Sequence, residues 1–203
     1  MDLFVTAIDT DSGKTLVSAI LCEALGADYW KPIQAGLPRD ADRVKELVSN
    51  DKTIIHPERY LLQHAMSPHA AARLEGITMR TDDFSRPSAL RDLVIEGAGG
   101  CLVPVNDSEF IVELAPRLSA DIILVADLYL GSINHTLLTV EALRHRGLTP
   151  LGIIFNGEAN PESERIICHH TGLKVLLRID RERAVDREMV KRYAEQYNRS
   201  RGK

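Results

Sequence analysis

Long apolar runs are missing from this 203-residue chain: no stretch approaches the ~18 consecutive apolar residues of a membrane span. A membrane partner is therefore not expected. Cysteine is scarce as well: Cys22, Cys101 and Cys168 form an odd set without Cys-x-x-Cys spacing, so a disulfide framework is excluded and packing roles are expected. Neither sign of charge dominates. With 25 Lys and Arg against 29 Asp and Glu, the net charge of -4 offers no footprint for nucleic acid. No pair of histidines has metal-ligand spacing, and His69 and His135 read as structural. No basic segment stands before the first apolar run at Leu3, which makes a cytoplasmic protein the expectation. Repeats, low-complexity tracts and Gly/Ser linkers are absent too, so residues 1–203 are expected to form a single domain.

What the sequence does contain is 44% hydrophobic residues, enough for one substantial core. Short apolar runs of strand character recur at 3–8, 93–95, 122–126, 151–155 and 174–177, with a weaker one ending at Trp30. Helical periodicity lies between them. Leu16, Val17, Ile20, Leu21, Ala24 and Leu25 mark one face; Ile133, Leu137, Val140 and Leu143 or Leu138 mark another. Gly26 and Gly147 stand where helix C-terminal glycines belong. Strands apolar on both faces that alternate with helices predict an α/β fold, a parallel sheet flanked by helices on both faces. The charge-dense segment from Arg178 onward reads as a solvated final helix.

The most informative segment is Ala7-Ile8-Asp9-Thr10-Asp11-Ser12-Gly13-Lys14-Thr15, between the first strand and the first helix. That is the context of a phosphate loop. Gly13 lets backbone approach phosphate, and the amides after it sit at a helix N-terminus. Lys14 can reach the outer phosphates, and the Thr15 hydroxyl can meet magnesium. An ordinary strand-to-helix turn is the plainer alternative, and only the Gly-Lys-Thr half of the general pattern is present.

A second constellation is Leu93-Val94-Ile95-Glu96-Gly97-Ala98-Gly99-Gly100. Ligands bind outside the carboxyl ends of parallel strands, so Glu96 is expected on the rim that carries the loop, where it would help hold a hard cation. Lys31-Pro32 ends the second strand, placed to meet developing negative charge. Asp40 and Asp42 follow at a helix start, one as a candidate N-cap and the other as a candidate magnesium ligand. Leu130-Gly131-Ser132-Ile133-Asn134-His135 begins a helix whose amides suit a carboxylate, unless Ser132 is only a cap. Ser67-Pro68-His69 marks another helix start.

Together these segments resemble the dethiobiotin synthetases, ligases of biotin biosynthesis, in the family's own order and over nearly the whole chain. Thr10–Thr15 is similar to the family's variant phosphate loop. Lys31-Pro32, Ser67-Pro68-His69, Glu96–Gly100 and Gly131–His135 resemble four further family motifs. The resemblance implies a P-loop NTPase-like fold and a homodimer with the substrate site at its interface. Its chemistry joins 7,8-diaminopelargonate and CO2 with ATP and Mg2+ to give dethiobiotin.

Carried over residue by residue, the resemblance gives Lys31, Lys14 and Thr10 the chemistry. ATP falls to Asp11, Ser12, Gly13, Lys14, Thr15, Leu16, Asp42, Glu96, Gly97, Ala98, Gly99, Asn156 and Gly157. Thr15, Asp42 and Glu96 are implied to hold the metal, while Ala35, Ser67, Gly131, Ser132, Ile133 and Asn134 contact the substrate. Four positions depart from the family: Ala7 replaces a glycine, Ala35 a hydroxyl residue, Gly157 a frequent Asp, and the 177–180 stretch lacks a proline. An amidating ligase of the cobyrinate type would need a glutaminase domain for which 203 residues leave no room. A nucleotide-switch ATPase of the partition or septum-placement type would carry an extra lysine early in the loop, and Ala7–Asp11 has none. A nucleotide-binding protein that has lost its reaction is the remaining alternative.

Overall fold

A computed structural model describes residues 1–202. Its centre is a seven-stranded parallel sheet built from β1 (Leu3–Ala7), β2 (Asp28–Trp30), β4 (Ile55–His56), β6 (Leu93–Glu96), β7 (Asp121–Asp127), β8 (Gly152–Asn156) and β9 (Val175–Ile179). They lie in the order β4-β2-β6-β1-β7-β8-β9. Two further short strands, β3 (Ile33–Ala35) and β5 (Tyr60–Leu62), pair in parallel beside it.

The pleat explains why these strands are apolar throughout. In β1, Leu3, Val5 and Ala7 point into one core while Phe4 points into the other. Val5, Ile123 and Ile154 meet α1 (Lys14–Leu25) and α7 (Arg187–Ser200) on the first face. On the second, Leu124 and Phe155 meet α5 (Ser132–His145) and α6 (Pro161–Thr171). Both faces are therefore covered, as a parallel sheet requires.

Every strand expected from sequence is present, within about two residues at each end. Gly26 caps α1 in the left-handed conformation and Gly147 adopts positive φ just past α5. Two helical expectations need correction. The final helix is not simply solvated: Met189, Val190, Tyr193, Ala194 and Tyr197 are buried against α1 and the sheet, on a face that the surrounding charges conceal in sequence. In α5 the buried side is Ser132, Thr136, Thr139, Val140 and Leu143, leaving Ile133 and Leu138 exposed. Thr136 can be buried because its hydroxyl donates to the Ser132 carbonyl at 2.7 Å, so an apolar count alone misplaces the face.

Among the described residues, no helix is long and apolar enough to cross a membrane. All three cysteines are free, Cys22 and Cys101 buried. Burial raises the Cys101 thiol to about 11.

Candidate active site

β1, β2, β6 and β8 all end on one rim, and their last residues build the site. The chain leaves β1 and enters α1 through Gly13, which caps the helix at φ 93°, a backbone region that favours glycine. Ala7, by contrast, lies inside β1 and is not among the positive-φ residues, so its methyl in place of glycine is tolerated.

Register brings the charged groups together. Trp30 pairs with Ile95, so Lys31, just past β2, lies beside Glu96 at the end of β6. Thr15, in the first turn of α1, donates to Glu96 Oε1 at 2.9 Å. Lys31 Nζ donates to the same oxygen at 3.3 Å and also to Asp40. Glu96 and the phosphate loop therefore share one rim, as the sequence predicts.

Both lysines are nearly enclosed. Burial drives the Lys14 ammonium down to about 8 against the pull of Glu96, and the like charge of Lys31 adds to the fall. Burial pushes Lys31 the same way, but Glu96 and Asp40 outweigh it and hold its pKa above the ordinary value. Lys14 Nζ bonds the carbonyls of Asp9 (3.1 Å) and Thr10 (2.9 Å), folding the side chain across the loop.

The structure separates Asp40 from Asp42. Asp40 is the first residue of α2 (Asp40–Leu47) and meets Lys31. Asp42 is not brought into the cluster: its carboxylate is exposed and clamped by Arg39, whose hydrogen bond holds its pKa below the ordinary range. The second carboxylate of the cluster is thus Asp40, not the expected Asp42, because residues two apart on a helix do not share a face. Neither aspartate is the N-cap; Arg39 holds that position.

Asn156, at the end of β8, reaches back over the loop, its Nδ2 donating to the Ser12 carbonyl at 2.9 Å. Beyond it opens a cleft of about 460 Å³ whose lining includes Leu16, Asp127, Asn156, Gly157, Asp180 and Glu182. Where the family's proline is missing, Arg178 ion-pairs with Glu164 and donates to the Gly157 carbonyl, bracing that wall. Tyr193 braces the other, accepting from the Asp180 amide and donating to Glu182.

A second cleft, of about 340 Å³, opens on the Thr10 side of the loop, where Asp9 and Thr10 face Gly100, Pro104 and Leu138. Gly97 and Ala98 lie buried beneath the rim, and Gly99 takes a positive φ of 66°. Ala35 ends β3 and Ser67 precedes α3 (Pro68–Leu74); neither lines these clefts. Their patch is nevertheless tied to the second one by the His69 amide, which donates to the Pro104 carbonyl.

Gly131, Ser132, Ile133 and Asn134 start α5 away from the carboxylate cluster. Gly131 is the N-cap at φ 112°, and the buried Ser132 hydroxyl makes no capping bond. Around this helix start Tyr129, Leu130, Ile133 and Leu138 stand exposed.

Sequence reasoning missed one member of the cluster. Tyr29, fully buried on β2, donates its hydroxyl to Glu96 Oε2 at 2.9 Å. A strand-internal tyrosine reads as core; only its spacing of two from Lys31, which puts both on one face, could have pointed to it.

Comparisons with known proteins bear on the family and the fold. A family model described as "AAA domain" matches residues 1–189. The chain is 54% identical over 193 residues to the ATP-dependent dethiobiotin synthetase BioD of Cytophaga hutchinsonii, covering 94% of each chain. It is 48% identical to the protein of the same name from Christiangramia forsetii, covering 97% of this chain and 95% of that one. In fold it is similar to the cell division ATPase MinD of Pyrococcus furiosus, with a TM-score of 0.60 at 13% identity and 98% of each chain covered. The MinD of Pyrococcus horikoshii complexed with Mg-ADP gives 0.59 at 15% identity, covering 98% of this chain and 90% of that one. Identity that high over almost the full length, on a P-loop ATPase fold, shows that the chain belongs to the ATP-dependent dethiobiotin synthetase family.

Proposed function

We propose that residues 1–203 act as one domain that uses ATP to carboxylate 7,8-diaminopelargonate with CO2 and close its ureido ring, giving dethiobiotin, ADP and phosphate. The single observation that carries this reading is Glu96 holding the phosphate-loop Thr15 and the strand-end Lys31 on one oxygen, beside Lys14. That arrangement faces stacked anions with fixed positive charge, which the joining of a carbamate to a triphosphate requires.

Asp11, Ser12, Gly13 and the first amides of α1 cradle the phosphates, with Leu16, Asn156 and Gly157 toward the base in the larger cleft. Gly97, Ala98 and Gly99, following Glu96 on the same rim, keep the backbone low beside the loop. One substrate amine adds to CO2 and passes a proton to solvent, giving a carbamate; Thr10 supplies a hydroxyl from the smaller cleft, and Lys31, held beside Glu96, a counter-charge. Lys14 steadies the phosphoryl group as it passes to a carbamate oxygen. The second amine then attacks the carbamate carbon, the ring closes and phosphate leaves.

Thr15, Glu96 and Asp40 suit Mg2+. All three are hard oxygen donors, the ligand type such an ion prefers, and two carboxylates among them would leave its other ligands to phosphate and water. When bound, Mg2+ would supply charge neutralisation for the transferring phosphate.

The start of α5, Gly131 to Asn134, would meet the substrate carboxylate from a second copy, with Ala35 and Ser67 near the chain. In support, the exposed Tyr129, Leu130, Ile133 and Leu138 give a homodimer an apolar face beside that helix start. The test is product formation from diaminopelargonate, ATP, Mg2+ and isotopically labelled bicarbonate. Label in the ureido carbon of dethiobiotin is the expected result; an unlabelled or absent ring refutes the proposal.

A further inference from the structure

Glu96 is fully enclosed, and both of its oxygens are engaged in different ways. Oε1 receives Thr15 and Lys31, the groups that face the phosphate loop. Oε2 receives only Tyr29, from within the core between the sheet and α1. The tyrosine is held by its surroundings: neither it nor Glu96 is more than 1% exposed, and Cys22 and Val94 share its core. Register fixes the arrangement, since Tyr29 pairs with Val94 and Trp30 with Ile95, so Tyr29 and Lys31 approach Glu96 from the same face of β2.

A carboxylate with one oxygen tied from behind cannot turn both oxygens toward a cation. Mg2+ demands near-octahedral geometry at about 2.0–2.1 Å, whereas Ca2+ accepts 6–8 oxygens at about 2.3–2.6 Å, including both oxygens of one carboxylate. We infer that Tyr29 is a positioning residue that limits Glu96 to a single oxygen facing the phosphate loop and thereby sets the site's preference for Mg2+ over Ca2+. This inference rests on the reading of Glu96 as the acid that faces the metal–nucleotide complex. It needs no change in the phosphate loop itself, because Tyr29 acts only through the carboxylate.

The test is ADP binding by the full chain, titrated separately with Mg2+ and with Ca2+, in the unsubstituted protein and in Tyr29→Phe. Loss of a group that orients a metal ligand typically costs about 10–100-fold in metal affinity. The Mg2+ concentration needed for half-maximal ADP tightening is therefore expected to rise about tenfold in Y29F, while the Ca2+ requirement stays level or falls. Metal-free ADP binding and the metal-free melting curve serve as controls for a merely structural role. If the phenylalanine variant does not fold, Tyr29→Met fills a similar volume without a hydroxyl.

A Mg2+ to Ca2+ ratio unchanged in the variant overturns the inference. So does an effect of Y29F that persists undiminished in an E96Q background, because the two changes must be coupled if one acts through the other. ADP binding by the unsubstituted protein that ignores both metals would remove the underlying reading of the site, and is told apart from the first two results by needing no variant.

Discussion

Asn156 donates to the Ser12 carbonyl at 2.9 Å, fastening the end of β8 to the phosphate loop across 144 positions of sequence. The fit is close: a methyl at Gly13 would lie 2.3 Å from Asn156 Nδ2. Removing the amide in Asn156→Ala is expected to weaken ADP binding about tenfold, the equivalent of one good hydrogen bond. Gly13→Ala both displaces that amide and forces a side chain into left-handed backbone, at a further cost of about 1–2 kcal/mol. It should bind more weakly than N156A, and combining the two should not restore binding. Calorimetric titration of the three variants decides this.

Asp40 and Asp42 offer a paired test. Asp40→Asn removes a carboxylate from Lys31 and from the proposed metal site, and should raise the Mg2+ requirement of the reaction by about tenfold or more. Asp42→Asn breaks only an exposed pair with Arg39, and should leave Mg2+ dependence and melting temperature unchanged within error. Reversed effects in initial-rate measurements would restore Asp42 to the site.

Glu23 links stability to pH away from the site. Burial opposes its ionisation, but donors from Ser49 and Asn50 outweigh this, so its folded pKa lies below the ordinary value. A lowered folded pKa contributes stability that is complete above the unfolded value and fades as pH falls through the folded one. Glu23→Gln should therefore cost about 1 kcal/mol at pH ~7, discounted for partial exposure, with the gap from the unsubstituted protein closing as pH falls through the folded pKa. Urea unfolding across that acid range measures it.

The longer strands were legible because a parallel sheet covered on both faces leaves apolar runs such as 122–126 that no pleat-alternating reading can mistake, whereas β3, β4 and β5, two or three residues each, leave no such run. The phosphate loop and Glu96 were legible because strand ends meet on one rim. What escaped was decided by geometry that a one-dimensional pattern does not carry. Asp40 and Asp42 differ only in helical phase, and Tyr29 looks like core until its hydroxyl is seen on Glu96. The buried face of α5 was hidden by threonines that bond their own backbone. Helix α6 did have readable signals, an Asn160 cap followed by Pro161 and a closing Gly172, and shows that capping residues carry information where apolar periodicity is weak.

Phosphate transfer is proposed to serve ring closure and not a nucleotide-driven switch, and the two are separated by following phosphate and dethiobiotin together while the diamine is varied at fixed ATP, Mg2+ and bicarbonate. The account predicts one phosphate for each ring and negligible phosphate without diamine. Phosphate released at the same rate whether or not the diamine is present would contradict it.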